Sequence, residues 1–165
     1  MNLKRLWRHL SMPAWRVRRA FPAATLAAIE TAIRATEAAH TGQICFAVEA
    51  ALDIGPLLQD RSARHRALDV FAQLRVWDTE HNNGVLIYLL LADHDVEILA
   101  DRGIHARVGA DGWERICRTM EQAFRAGRLD DGVLQGIRAV GEQLARHYPG
   151  QGARGNELSD QPVVL

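Results

Sequence analysis

The stretch His81 to Gly103, HNNGVLIYLLLADHDVEILADRG, constrains the fold more than any other part of the chain. An Asn-Asn-Gly turn signal opens it, a continuous apolar run from Val85 to Ala92 follows, and the polar triplet Asp93-His94-Asp95 closes the run. Such a run predicts a strand buried on both faces. From Val96 to Asp101 the pattern alternates, with Val96, Ile98 and Ala100 on one side and Glu97, Leu99 and Asp101 on the other, so a second strand with one face less deeply covered is expected. The polar link is so short that the two must pair as an antiparallel hairpin. Asn82 and Asn83 at its entry, and Asp101, Arg102 and Gly103 at its exit, then share one end of the sheet.

The flanking segments supply the other layers. Residues 23–39 predict a helix, with Leu26, Ile29 and Ile33 on one face, that ends at His40-Thr41-Gly42, where Gly42 suits a left-handed cap. Ile44 to Ala51 predicts a strand, Gly55-Pro56 a loop or short turn, and Ser62 the cap of a helix over 63–76 whose apolar stripe holds Leu68, Phe71, Ala72 and Leu74. Strand, helix and strand make a crossover unit, so the two strands run parallel with a right-handed connection. Beyond the hairpin come a helical turn at 104–108 and a helix over 112–126, capped by Asp111 and ended by Gly127, with Trp113, Ile116, Met120 and Phe124 inward. A last helix over 133–147, capped by Asp130 or Asp131, turns Val133, Ile137, Val140 and Leu144 inward. The expected fold is α/β in a single domain: a small mixed β-sheet, a parallel βαβ unit plus an antiparallel hairpin strand, flanked by helices. The organisation is a basic amphipathic N-terminal helical arm (1–20), an α/β domain (21–149) and a flexible C-terminal tail (150–165).

A chain of 165 residues, 48% hydrophobic and 24% charged, suits one core. Zero formal net charge excludes a whole-molecule footprint for nucleic acid, and none is expected as a partner. The average hides an asymmetry, since Lys4, Arg5, Arg8, Arg16, Arg18 and Arg19 all precede the first acidic residue, Glu30. Leu3, Leu6, Trp7 and Leu10 recur at helical spacing among those charges, and Pro13 restarts a second short helix that carries Trp15 and Val17. Two readings follow: a helix that packs its tryptophans on the domain and solvates its charges, or an arm that binds a membrane surface or an acidic protein partner. Cys45 and Cys117 read as buried free thiols. The positive N-terminus lacks a signal peptide's apolar stretch and cleavage site, and no segment approaches the roughly 20 apolar residues that span a bilayer, so a cytoplasmic, reducing setting is expected.

No phosphate-binding glycine loop, serine-hydrolase elbow or zinc-hydrolase histidine pair occurs. Asp93-His94-Asp95 reads as a turn before a metal site, Arg102 as a surface cation before a phosphate contact, and His81 as an acid or base with no partner fixed. Parallel pairing sets Gln43 beside Asn83, and the antiparallel strand delivers Asp101 to the same rim. Asp78 and Glu80 are within reach, and Asp78, Glu80, Asn82, Asn83 and Asp101 carry the oxygen donors that Ca²⁺ or Mg²⁺ takes. Turn chemistry and strand-end solvation account for the same residues.

His40-Thr41-Gly42-Gln43-Ile44, Asn82-Asn83-Gly84-Val85-Leu86-Ile87 and the strand Asp95 to Asp101 with Arg102-Gly103-Ile104 together resemble the TPM domain, over about residues 23–148. The resemblance is to the short, soluble, bacterial-type members. It implies a small mixed sheet flanked by helices, and a binding or accessory module of unassigned activity that takes a divalent cation through acidic residues at one end of the sheet. The alternative it implies is a metal-assisted, phosphatase-like hydrolase of phosphate esters. The family's strand-entry Glu falls on Gln43, a neutral amide in place of a charged ligand; its Asp or Asn before Gly-Val-Leu falls on Asn82 or Asn83, and its exit position on Asp101.

Overall fold

The computed structural model describes residues 3–150 and 157–165. In chain order its elements are α1 (Leu3–Leu10), α2 (Trp15–Ala20), α3 (Ala23–Glu37), β1 (Gln43–Glu49), α4 (Ile54–Leu58), α5 (Ala63–Gln73), β2 (Gly84–Leu90), β3 (Asp95–Ala100), α6 (Arg102–Val108), α7 (Ala110–Arg125), α8 (Leu129–His147) and β4 (Val163–Val164). The strands form one sheet in the order β3-β2-β1-β4. β1 and β2 run parallel with Gln43 opposite Gly84, while β2 and β3 run antiparallel with Val85 opposite Ala100 and Leu90 opposite Asp95. The mixed sheet flanked by helices is as the sequence implies.

β2 is buried at every position because helices cover both faces of the sheet. On one side Ile44, Phe46, Val85 and Ile87 cluster with Ile29 and Ile33 of α3, Met120 and Phe124 of α7, and Val133, Ile137, Val140 and Leu144 of α8. On the other, Cys45, Ala47, Leu86 and Tyr88 meet Ala63, Ala67 and Val70 of α5. Here the expectation errs. Leu68, placed in the buried stripe by its size, is exposed, and the small residues face inward so that the α5 backbone can approach the strands.

Three local expectations are corrected. Gly42 is not a left-handed cap; α3 ends at Glu37, and a side chain at 42 would meet Cδ2 of Leu144 at 2.5 Å and the Asn83 carbonyl oxygen at 3.1 Å, so glycine lets these segments pack closely. Asp111, Asp130 and Asp131 stand inside the first turns of α7 and α8 rather than at their caps, still where a negative charge meets the helix dipole favourably. The tail is not free from Glu157 onward. Val163 and Val164 pair in parallel with Ala47 and Val48, and the amide of Leu165 donates to the Val48 carbonyl at 2.9 Å. The part of the expected flexible tail at 151–156 lies outside the described residues, as does the start of the arm at residues 1 and 2.

Candidate functional site

The rim forms where the sequence places it. Gln43 donates through its backbone amide to the Asn83 carbonyl at 3.4 Å, and Asp101 donates likewise to Gly84 at 2.9 Å, so the two strand starts and the strand end adjoin. The side chains, however, are committed to one another and to the chain. The Asn82 carboxamide oxygen accepts from Nε of Arg102 at 3.1 Å, Asn83 donates to the Thr41 hydroxyl at 3.4 Å, and Oδ1 of Asp101 caps α6 by accepting from the Arg102 amide at 2.6 Å. Asp78 and Glu80 stand exposed, and the Glu80 amide donates to Oε2 of Glu157 at 2.9 Å. Gln43 is buried; its Oε1 accepts from the amides of both Glu157 and Leu158 at 3.0 Å, while its Nε2 faces the Gly42 carbonyl at 3.4 Å.

That arrangement decides how well a hard cation fits. Among the described residues no three His, Cys, Asp or Glu side chains converge on a point where a metal ion would sit, and the Arg102 guanidinium already serves Asn82. The five proposed ligands therefore do not make an all-protein cage. One atom stands apart: Oδ2 of Asp101 is buried with no hydrogen-bond partner among the described residues.

The arm carries a second constellation, and its orientation separates the two readings of the sequence. α1 docks by its polar face. Nε of Arg5 and a terminal guanidinium nitrogen of Arg8 reach the two oxygens of Asp93 at 2.9 and 2.7 Å, and Nε2 of His9 lies 3.1 Å from Oδ1. Nδ1 of His9 accepts from the Leu52 amide at 2.9 Å, which requires the proton on Nε2 and a neutral ring. Burial pulls the His9 pKa below its ordinary value against the opposing pull of Asp93. Burial alone would raise Asp93, but the hydrogen bonds from Arg5 and His9 outweigh it and hold the carboxyl below the usual range. Asp93 was read as turn chemistry, and nothing local in the triplet marks it as the anchor of residues some 85 positions upstream.

With its polar face spent on Asp93, the arm turns its apolar face outward. Leu3, Trp7, Leu10 and Trp15 are 67%, 73%, 53% and 57% exposed, and α4, which packs against α1, adds exposed Ile54 and Leu58. From α1 Leu6 packs against the core, and from the segment after it Val17 is buried, with Met12 and Ala20 packed beside it. Arg16, Arg18 and Arg19 of α2 are exposed beside Trp15. The reading in which the tryptophans pack on the domain is thus corrected: Arg5, Arg8 and His9 hold α1 down on Asp93 and the tryptophans face water, while Arg16, Arg18 and Arg19 are solvated as expected.

A mixed four-stranded sheet between helical layers, a polar rim at one end and a docked basic arm define a small α/β domain. The chain belongs to the TPM domain family, whose model matches residues 18–143. Over 88% of this chain and 95% of the other, it is similar to the BA42 protein from the psychrophilic bacterium Bizionia argentinensis, known from an NMR structure, at 30% identity with a TM-score of 0.76. It shares its fold with the N-terminal domain of a protein from P. gingivalis, also solved by NMR, at 20% identity and a TM-score of 0.61 over 83% of this chain and 92% of that one. No curated protein matches it. Among the described residues no helix is long and apolar enough to cross a membrane.

Proposed function

We propose that the protein is a non-enzymatic accessory module that rests on an anionic membrane surface through its N-terminal arm. The observation that carries the reading is the orientation of α1, with Arg5, Arg8 and His9 turned in to Asp93 and Leu3, Trp7 and Leu10 turned out. An apolar patch of this kind, with Arg16, Arg18 and Arg19 exposed beside it, matches an interface where aromatic rings sit at headgroup level and arginines meet lipid phosphates. Two free cysteines, Cys45 and Cys117, suit a reducing compartment, so the reading takes the cytoplasmic face. Sedimentation with phosphatidylglycerol vesicles, but not with neutral phosphatidylcholine vesicles, is expected for the intact chain. The variant Trp7→Ser/Trp15→Ser should stay in the supernatant; pelleting that survives in it rejects the reading.

A second reading is favoured by the unpartnered Oδ2 of Asp101. Mg²⁺ keeps most of its waters and takes only one or two carboxylates, so this oxygen suits a hydrated ion better than the irregular cage that Ca²⁺ prefers. Titration calorimetry should show Mg²⁺ binding that Asp101→Asn removes, and hydrolysis of generic phosphate esters lost in the same variant would turn the reading towards a metal-assisted phosphatase. No heat with either cation, in wild type and variant alike, ends both.

A further inference from the structure

Between α2, the β2–β3 turn and the α7–α8 connection lies an open groove of about 640 Å³. Met12, Trp15, Leu91, Phe124 and Leu129 give it an apolar lining, and Arg16, Arg19 and His94 complete it. No acidic side chain lines it, and among the described residues neither guanidinium makes a hydrogen bond or an ion pair. Two cations held against apolar surface without a carboxylate ask for an anion that carries its own apolar body. We propose that this groove binds a free single-chain fatty acid, with the chain along the apolar lining and the carboxylate between Arg16 and Arg19.

Three features select that ligand. The volume falls within the roughly 300–1,000 Å³ typical of sites for small organic ligands, a size that suits one acyl chain better than the two of a phospholipid. A guanidinium fork matches a carboxylate in two parallel hydrogen bonds, so the head group is recognised in shape as well as charge. With Arg16 and Arg19 and no carboxylate in the lining, a cationic amphiphile is disfavoured.

Laurate binding is read without vesicles and so stands or falls apart from membrane attachment. Calorimetric titration of the full chain with laurate, kept monomeric below its micelle concentration, should give one site. Dodecyltrimethylammonium, of equal chain length and opposite charge, should bind at least tenfold more weakly. Arg16→Gln/Arg19→Gln, at exposed positions where folding is not at stake, should weaken laurate at least tenfold. Leu129→Glu should abolish laurate binding while leaving sedimentation with vesicles unchanged. Absence of laurate heat, equal binding of the cationic surfactant, or full affinity in the double variant overturns the proposal; laurate binding in a protein that ignores vesicles upholds it and removes the membrane reading alone.

Discussion

The carboxamide at position 43 performs two tasks that a carboxylate cannot combine. Its oxygen gathers the amides of Glu157 and Leu158, and its nitrogen faces the Gly42 carbonyl. Gln43→Glu replaces that nitrogen with an oxygen set against another oxygen in a buried site, where an unsatisfied polar group costs about 1–3 kcal/mol. Urea unfolding should register a loss of that size, and an unchanged midpoint would contradict this account of Gln43. His9 makes a pH prediction of the same kind. Its pKa is lowered in the folded state, so the stability it supports is present above the unfolded value of 6.5 and is lost as pH falls through that value towards the folded one. Protonation puts a hydrogen on Nδ1, where the Leu52 amide already donates. Trypsin should therefore cleave within the arm faster at pH 5.5 than at pH 7.5, and the difference should flatten in His9→Gln.

At the scale of elements, the tail lies against α3 where Asp160 accepts from Nε of Arg34 at 3.3 Å and stands near Glu37. Glu37, whose Oε1 accepts from the Ile44 amide at 2.8 Å, is pushed up to about 8, by burial first and then by the neighbouring Asp160. A raised carboxyl contributes stability that is fully present below pH 4.5 and lost as pH rises through about 8. Exchange of the Leu165 amide, which bonds Val48, should accelerate more between pH 7 and 9 than base catalysis alone predicts; Glu37→Gln should remove the excess. β2 carries a steric prediction. A side chain at Gly84 would overlap the Val76 carbonyl, so Gly84→Ala should cost about 3 kcal/mol through forced backbone movement. The hairpin and its rim were legible because a period of two and a short link leave one pairing. Gly42 was not, because a glycine required by a distant Leu144 looks in sequence like a glycine required by its own backbone angle. Leu68 misled for a related reason: periodicity shows which residues share a face, while the closeness of the sheet decides whether large or small ones turn inward.

At the scale of the whole molecule, Arg5, Arg8 and His9 of the basic arm converge on Asp93 of the acidic body. Turning Leu3, Trp7 and Leu10 inward would bury apolar surface at roughly 25 cal/mol per Å², but would leave Asp93 without its partners and the Leu52 amide without an acceptor. Both faces of α1 are plain in the sequence; the choice between them is not, since it is made by Asp93 and Leu52 on distant segments. Asp93→Asn should free the arm, read as rapid tryptic cleavage after Arg8 while residues 21–150 stay resistant. The most direct test of the arm's orientation is ¹⁹F NMR of protein labelled with 5-fluorotryptophan. In the free protein Trp7 and Trp15 should show a full H₂O/D₂O solvent shift and Trp113 none, and on phosphatidylglycerol vesicles Trp7 and Trp15 should lose theirs. A Trp7 signal already shielded from water in the free protein, or one still fully wet on the vesicles, would contradict the account.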